Sequence, residues 1–584
     1  MRRLLAILAL VVTTPILAAA PASQPTTRQS IDPNHELVIR HGQIIDGAGN
    51  PWFYGDVLIR GDRIVEIGST VHPSPGAEEI DATNLIVAPG FIDVHTHADN
   101  GVLTSPLAQN FVRDGVTTIV TGNCGYGVRN VGNYFERIRE RGAALNVATL
   151  IGHNTILNAV KGDAAGTLTA EQMEKGREIV RAAMKEGAVG MSTGLIYRPG
   201  MYSPVEEIIE LQKVATSFGG IYATHMRNES TNIIDAIDEA LRVGREANCR
   251  VEISHFKLPS DVAKKIGGAA TTLGRVMQAR AAGQEVWLDQ YPYTASSTSI
   301  TTLLPDWVYE KGVAEAKLRM NDPEQVKKIL ADMKKNYELS RHRPNMGYAV
   351  ISSCGWDKAF VGRNLYEVAQ IRKLREQNRA TTAPELLSAD PEKLPAPSMQ
   401  EQYEAIIAIA LHGGASCVFH SMAEEEVEDI LKCPLVAVAS DSGIRDFGSG
   451  QPHPRGYGTN SRVLGHYVRE KKVIPLEDAV RKMTSLPATA FRFRDRGLIR
   501  VGYVADLTLF DPETVIDKAT FEKPHQYAEG IVHVIVNGYP VLRGGEMTGL
   551  LPGRPVLGPG AVNPSGPSGP ETRPAGIDEV KSGR

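Results

Sequence analysis

The residues best suited to chemistry in this chain are histidines, one cysteine and one aspartate that end apolar runs. In "GFIDVHTHADN", residues 90–100, His95 and His97 stand one residue apart at the end of a strand, so their side chains share a face. Cys124 ends "GVTTIVTGNCG", His225 ends "GGIYATHMR", and His255 with Lys257 ends "CRVEISHFK". Tyr291 ends "EVWLDQYPY" and Asp441 ends "PLVAVASDSG". Imidazoles, a thiolate and a carboxylate gathered at one end of successive strands have the composition of a zinc site. Cys124, His225 and His255 would supply three ligands and leave a fourth position open for water. His95 and His97 with Asp441 would make a second, harder site; alternatively Asp441 serves as a general base toward a metal-activated water. Taken singly, each residue reads more plainly as a buried thiol or a hydrogen-bonded core histidine, and their conjunction is what points to a metal. His153, His420, Cys249, Cys354, Cys417 and Cys433 read as packing groups.

These strand ends need a frame that aims them at one place. From residue 89 to 496, eight apolar runs alternate with amphipathic helical segments, which implies a parallel sheet covered on both faces. Eight strands suit a (β/α)8 barrel, whose active sites sit at the carboxyl ends of the strands. Thr169 with Gln172, and Ser203 with Glu206, have the spacing of capping boxes, the second with Pro204 at the first helical position. Residues 36–88 and 497–552 carry short alternating strands with Gly, Asp and Asn punctuation, and are expected to pair into one small β-sandwich domain. A charged helical stretch at about 304–345 reads as an insertion, a lid over the barrel mouth. Residues 553–584 are rich in Pro, Gly and Ser and are expected to be disordered.

Composition narrows the partners. A net charge of −4, with no long Lys/Arg run, argues against nucleic-acid and membrane-surface binding. Five cysteines without paired spacing do not make a disulfide framework. Residues 1–22, "MRRLLAILALVVTTPILAAAPA", have the two arginines, apolar run and small residues of a secretory leader, followed by a linker over 23–35. The mature protein is therefore expected to be exported, periplasmic in a Gram-negative host, and not membrane-bound after cleavage. Oligomeric state is not legible.

The chain also resembles the N-acyl-D-amino-acid deacylases (D-aminoacylases) of the amidohydrolase superfamily. The resemblance lies in "PGFIDVHTHADN", "TTIVTGNCG", "GMSTGLIYRPGMYSPVEEI", "GGIYATHMRNES", "ISHFK", "DQYPYTASST", "ASDSG" and "HPRGYGTNSRVLGHYVRE", in the family's order. It implies a zinc ion held tightly by Cys124, His225 and His255, a weaker site at His95 and His97, and a catalytic Asp441. It further implies that Lys257, Tyr291, Ser297 and Arg455 surround the carboxylate and acyl carbonyl of a small N-acyl amino acid. The expected reaction is zinc-dependent hydrolysis of the amide of an N-acyl-D-amino acid, releasing a carboxylate and a free D-amino acid. The alternative is a dipeptidase or cyclic-amide hydrolase with the same zinc centre. Two positions depart from the family pattern, Phe256 in "SHFK" and Ser442 after Asp441. The fourth strand, "GMSTGLIY", has no lysine to carboxylate, which disfavours a dihydropyrimidinase-like bridged site. Sequencing the N-terminus of protein from the periplasm of an expression host is expected to find it beginning after Ala20 or Ala22. Recovery of Met1 on the exported protein would contradict it.

Overall fold

The computed structural model describes residues 27–28, 32–340, 343–376 and 396–562. The expected leader, most of the linker, and residues 563–584 lie outside the described residues.

The amino-terminal strands β1 (Glu36–Ile44), β2 (Phe53–Arg60), β3 (Arg63–Gly68), β4 (Glu78–Asp81) and β5 (Ile86–Pro89) lead into the barrel. The barrel comprises β6 (Phe91–Asp93), β7 (Val116–Thr121), β8 (Asn146–Thr149) with its continuation β9 (Ile151–Gly152), β10 (Gly190–Gly194), β11 (Ile221–His225), β12 (Val251–Ile253) and β13 (Val286–Gln290). After three further strands, β14 (Ala295–Ser299), β15 (Ala349–Cys354) and β16 (Ala415–His420), comes the last barrel strand, β17 (Val436–Val438). Pairing is parallel throughout, in the orders β6-β7-β8 and β9-β10-β11-β12-β13-β17. The two arcs meet at the Leu150 irregularity. They close on the other side through a parallel bridge between Thr96 and Ser442, where His97 N donates to Ser442 O at 2.8 Å. The expected eight-stranded barrel is therefore present, with β8 and β9 acting as one interrupted strand.

The two ends of the chain meet in a single nine-stranded sheet. Strand β18 (Leu507–Phe510) pairs antiparallel with β5, and β19 (Ile531–Val536), β20 (Tyr539–Arg543) and β21 (Glu546–Met547) extend the sheet beyond it. Its own core, including Leu37, Ile39, Val57, Leu507 and Ile535, lies apart from the barrel's. Asp506, just before β18, ties the two bodies together. Its carboxylate pairs with Arg496 and accepts from Asn146 Nδ2 at 3.1 Å and from Asn537 N at 2.8 Å, all buried.

Three sequence expectations need correction. The insertion between β13 and β17 is larger than 304–345. Strands β14, β16 and β15 form an antiparallel sheet that starts at Ala295, with helices such as Pro323–Ser340 and Met399–Leu411, around a separate core of Ile300, Ile351, Phe360, Ile406 and Phe419. The periodicity of one charged helix pair marked the middle of this unit but not its strands, which are short and flank long helices. The segment 553–562, expected to be disordered, runs along the barrel instead. Val556 N donates to Val147 O and Gly558 N to Gly187 O, both at 2.8 Å. Its Gly and Pro serve close approach here, since a Cβ on Gly558 would lie 2.1 Å from Ala188 O. Finally, the Thr169–Gln172 capping box forms, but the Ser203 hydroxyl caps nothing, because the helix Val205–Ser217 begins one residue later, with Pro204 as its flank.

No helix among the described residues is long and apolar enough to cross a membrane. Replacing Asp506 by Ala strands the buried Arg496 charge. Urea denaturation is expected to show a loss of about 3–5 kcal/mol, and an unchanged midpoint would show that this junction does not hold the two bodies together.

Candidate metal centre

The barrel delivers its strand ends to one buried spot. His95 follows β6, Cys124 lies in the loop after β7, His225 ends β11, and His255 follows β12. Local sequence shapes each delivery. In "GNCG", Asn123 Nδ2 donates to Val120 O at 3.0 Å and Val94 O at 3.2 Å, fastening the loop to its own strand and the preceding segment. Cys124 then takes φ +53°, and His255 and Asp441 take φ +38° and +49°. Three non-glycine residues in left-handed backbone at one site are costly conformations held by their surroundings. Room for the cysteine loop comes from β10: a Cβ on Gly194 would lie 2.0 Å from Cys124 O.

The donor atoms form a tight triangle. Cys124 Sγ lies 3.6 Å from both His225 Nδ1 and His255 Nε2, which are 2.8 Å apart. Zn–S of about 2.3 Å and Zn–N of about 2.0–2.1 Å in a tetrahedron correspond to roughly 3.6 Å between sulfur and nitrogen and roughly 3.3 Å between nitrogens. The sulfur edges fit, and the nitrogen edge must open by about half an ångström to admit the ion. His95 Nε2 approaches the same sulfur at 3.3 Å. On the other side Asp441 Oδ1 lies 3.0 Å from His97 Nε2 and 3.6 Å from His95 Nε2, a second donor group that shares His95 with the first. His97 is the half-exposed member, whereas His95, Cys124, His225 and His255 are buried.

Behind the histidines stand carboxylates the sequence reading did not single out. Asp289 Oδ2 contacts His95 Nδ1 at 3.1 Å, and Asp289 Oδ1 accepts from His255 N at 2.8 Å. Glu229 reaches both other rings on the nitrogens that face away from Cys124: His225 Nε2 at 3.3 Å and His255 Nδ1 at 3.0 Å. It also holds Lys257 Nζ at 2.6 Å. Carboxylates on the far nitrogen fix which ring nitrogen is free for a metal and raise its basicity. Asp289 was detectable as an acid at the end of "VWLDQ", two residues before Tyr291; Glu229 lies in a loop and gave no periodic signal.

Burial opposes the charges of Cys124, His225, Glu229 and Asp441, and pairing outweighs it. Despite burial, His95 and the hydrogen bonds from His225 and His255 hold the Cys124 thiol well below its ordinary range. Arg455 and His255 do the same for Asp441, and His225, Lys257 and His255 for Glu229. Burial depresses His225, but Glu229 and Cys124 raise it overall to about 9. The donors are thus anionic sulfur and oxygen beside imidazoles whose protons an incoming cation displaces.

The remaining expected residues divide. Arg455 Nη1 lies 2.8 Å from Asp441 Oδ2, and its guanidinium stacks over the Tyr291 ring at 4.5 Å. The Tyr291 hydroxyl is buried without a hydrogen-bond partner among the described residues. Lys257, engaged by Glu229, opens on a cavity of about 650 Å³ between the barrel mouth and the inserted sheet. Ser297 sits mid-strand in β14. Alternation turns its side chain to the face opposite Ser296 and Thr298, which line that cavity. His153 is buried and is not among the donor groups, and burial, with Arg227 and Lys161 nearby, pushes it down to about 3. Phe256 is fully buried in the helix-covered core, so this departure is a packing change.

The chain is similar to known proteins over most of its length. The model of the amidohydrolase family matches residues 78–542. A D-aminoacylase of Alcaligenes xylosoxydans xylosoxydans is 34% identical, covering 90% of this chain and 98% of that protein. A D-aminoacylase structure, described as having a binuclear metal centre activated by one metal and attenuated by a second, superposes with a TM-score of 0.72 at 32% identity, covering 89% and 99%. The N-acyl-D-glutamate deacylase of Bordetella bronchiseptica, solved with zinc and a phosphonate mimic of the tetrahedral intermediate, gives 0.71 at 30% identity, covering 90% and 100%.

Replacing Glu229 by Gln keeps its shape but removes the charge behind two histidines. Chelator competition is expected to show zinc affinity about 10–100-fold weaker, with Cys124→Ala weaker still. Wild-type affinity in both variants would rule out this donor set.

Proposed function

Because the chain belongs to the amidohydrolase family and, within it, to the N-acyl-D-amino-acid deacylases, we propose that it uses zinc to hydrolyse the amide of N-acyl-D-amino acids. The observation that carries this reading is Asp441. Its carboxylate touches the metal-donor histidines on one oxygen and Arg455 on the other.

Zinc held by Cys124, His225 and His255, with His95 and His97 as the weaker set, would polarise the scissile carbonyl and acidify the attacking water. Asp441, kept ionised by Arg455, accepts the proton of that water as its oxygen adds to the acyl carbon. It then returns the proton to the amide nitrogen as the C–N bond breaks. The water's oxygen leaves in the new carboxylate, and the nitrogen leaves as the free amino group. The Tyr291 hydroxyl, without a hydrogen-bond partner among the described residues, would donate to the developing oxyanion. Arg455 retains further N–H donors beyond the one facing Asp441 and offers them to an α-carboxylate.

A panel of N-acetyl-D- and N-acetyl-L-amino acids, dipeptides and cyclic amides, run on protein with measured zinc content, is expected to show turnover of the D-series. Asp441→Asn should lose about 10²–10⁴-fold in kcat. Equal cleavage of both enantiomers, or full activity of Asp441→Asn, would sink the proposal.

A further inference from the structure

Of the three cations lining the large cavity, two are neutralised. Lys257 pairs with Glu229 at 2.6 Å and Arg227 with Glu239 at 2.8 Å. Arg198 has no ion pair among the described residues, and its Nη1 is buried without a hydrogen-bond partner. Its guanidinium carbon sits over the Tyr309 ring, 3.8 Å from the centroid. That contact holds the side chain in the wall without using its N–H donors, and a guanidinium fork grips a carboxylate with two parallel hydrogen bonds. A buried cationic donor left unsatisfied is expensive, which makes it conspicuous in a wall otherwise paired. Asp306, exposed on the same cavity, makes no ion pair with it. The adjacent Tyr197 packs edge-on against His225, ring centroids 5.0 Å apart, so Arg198 stands one residue from the wall of the metal centre.

We propose that Arg198 anchors a second carboxylate on the substrate, distinct from the α-carboxylate, so that the preferred substrates are dicarboxylic N-acyl amino acids. The inference rests on the deacylase reading above. The second carboxylate can be carried by an acidic amino-acid side chain or by a dicarboxylic acyl group. The recognising chemistry is the same in either case.

The test compares kcat/KM for N-acetyl-D-glutamate, N-succinyl-D-leucine and N-acetyl-D-leucine in wild type and Arg198→Gln. Wild type is expected to favour one of the two dicarboxylates, and which one tells whether the charge sits on the amino acid or the acyl group. Arg198→Gln should cost that substrate about 10–100-fold, while N-acetyl-D-leucine stays within about threefold. No preference in wild type, or an equal fall on all three substrates, overturns the proposal. Should Arg198→Gln not fold, Arg198→Lys carries the same comparison: a selective fall supports the anchor, an equal fall refutes it. If wild type cleaves none of the three, the deacylase reading fails on its own. Calorimetric titration of glutarate then reads the anchor separately: binding weakened by Arg198→Gln supports it, and equal binding to both proteins overturns it.

Discussion

Everything at the mouth of this barrel follows from burying opposite charges together. The Cys124 thiolate, Asp289 and Asp441 are removed from water, as are His95, His225, His255 and Arg455 that face them, while Glu229 and Lys257 are partly buried at the cavity wall. Any one of these groups alone in such surroundings would be neutralised or would destabilise the fold. As a set they compensate one another, but only at separations of roughly 3 Å, and that demand falls on the backbone. The strands must end in register, and the loops that follow must turn sharply enough to bring side chains from β6, β7, β11 and β12 into contact.

The fold meets the demand with small residues and strained ones. Gly194 gives up its side chain so that the Cys124 carbonyl can approach, and Cys124, His255 and Asp441 adopt left-handed backbone that regular strands do not contain. The hydrogen bonds of Asn123 to Val94 and Val120, and of His255 N to Asp289, hold those conformations in place. The nine-stranded sheet and the segment 553–562 brace the barrel from outside, while the inserted unit from Ala295 to His420 supplies the far wall of the cavity. Rigidity therefore comes from the barrel, and the shape of the substrate space from what was added to it.

Much of this was legible from order along the chain. Apolar runs ending in His, Cys and Asp imply a parallel barrel with a metal at the carboxyl edge, because strand periodicity and the direction of βα units are local properties. What could not be read was anything carried by loops or by long-range packing. Glu229 is an ordinary loop glutamate until the fold sets it against two histidines and a lysine. The strands of the insertion lack a distinctive pattern, and the Gly/Pro-rich 553–562 has the composition of a mobile tail yet serves close contact with the barrel.

The sequence by itself determined the barrel, the meeting of its two ends in one β domain, and the list of metal donors, since each depends on residue type and period. Only the tertiary structure decided how those donors are shared: which nitrogen of each ring faces the sulfur, that His95 contacts both donor groups, and that Arg455 rather than Lys257 pairs with Asp441. It also decided that Arg198, in the cavity wall, has no ion pair among the described residues. The physical reason is the same in each case. Pairing between charges depends on distances of a few ångströms across elements far apart in the chain, and no local pattern encodes those distances.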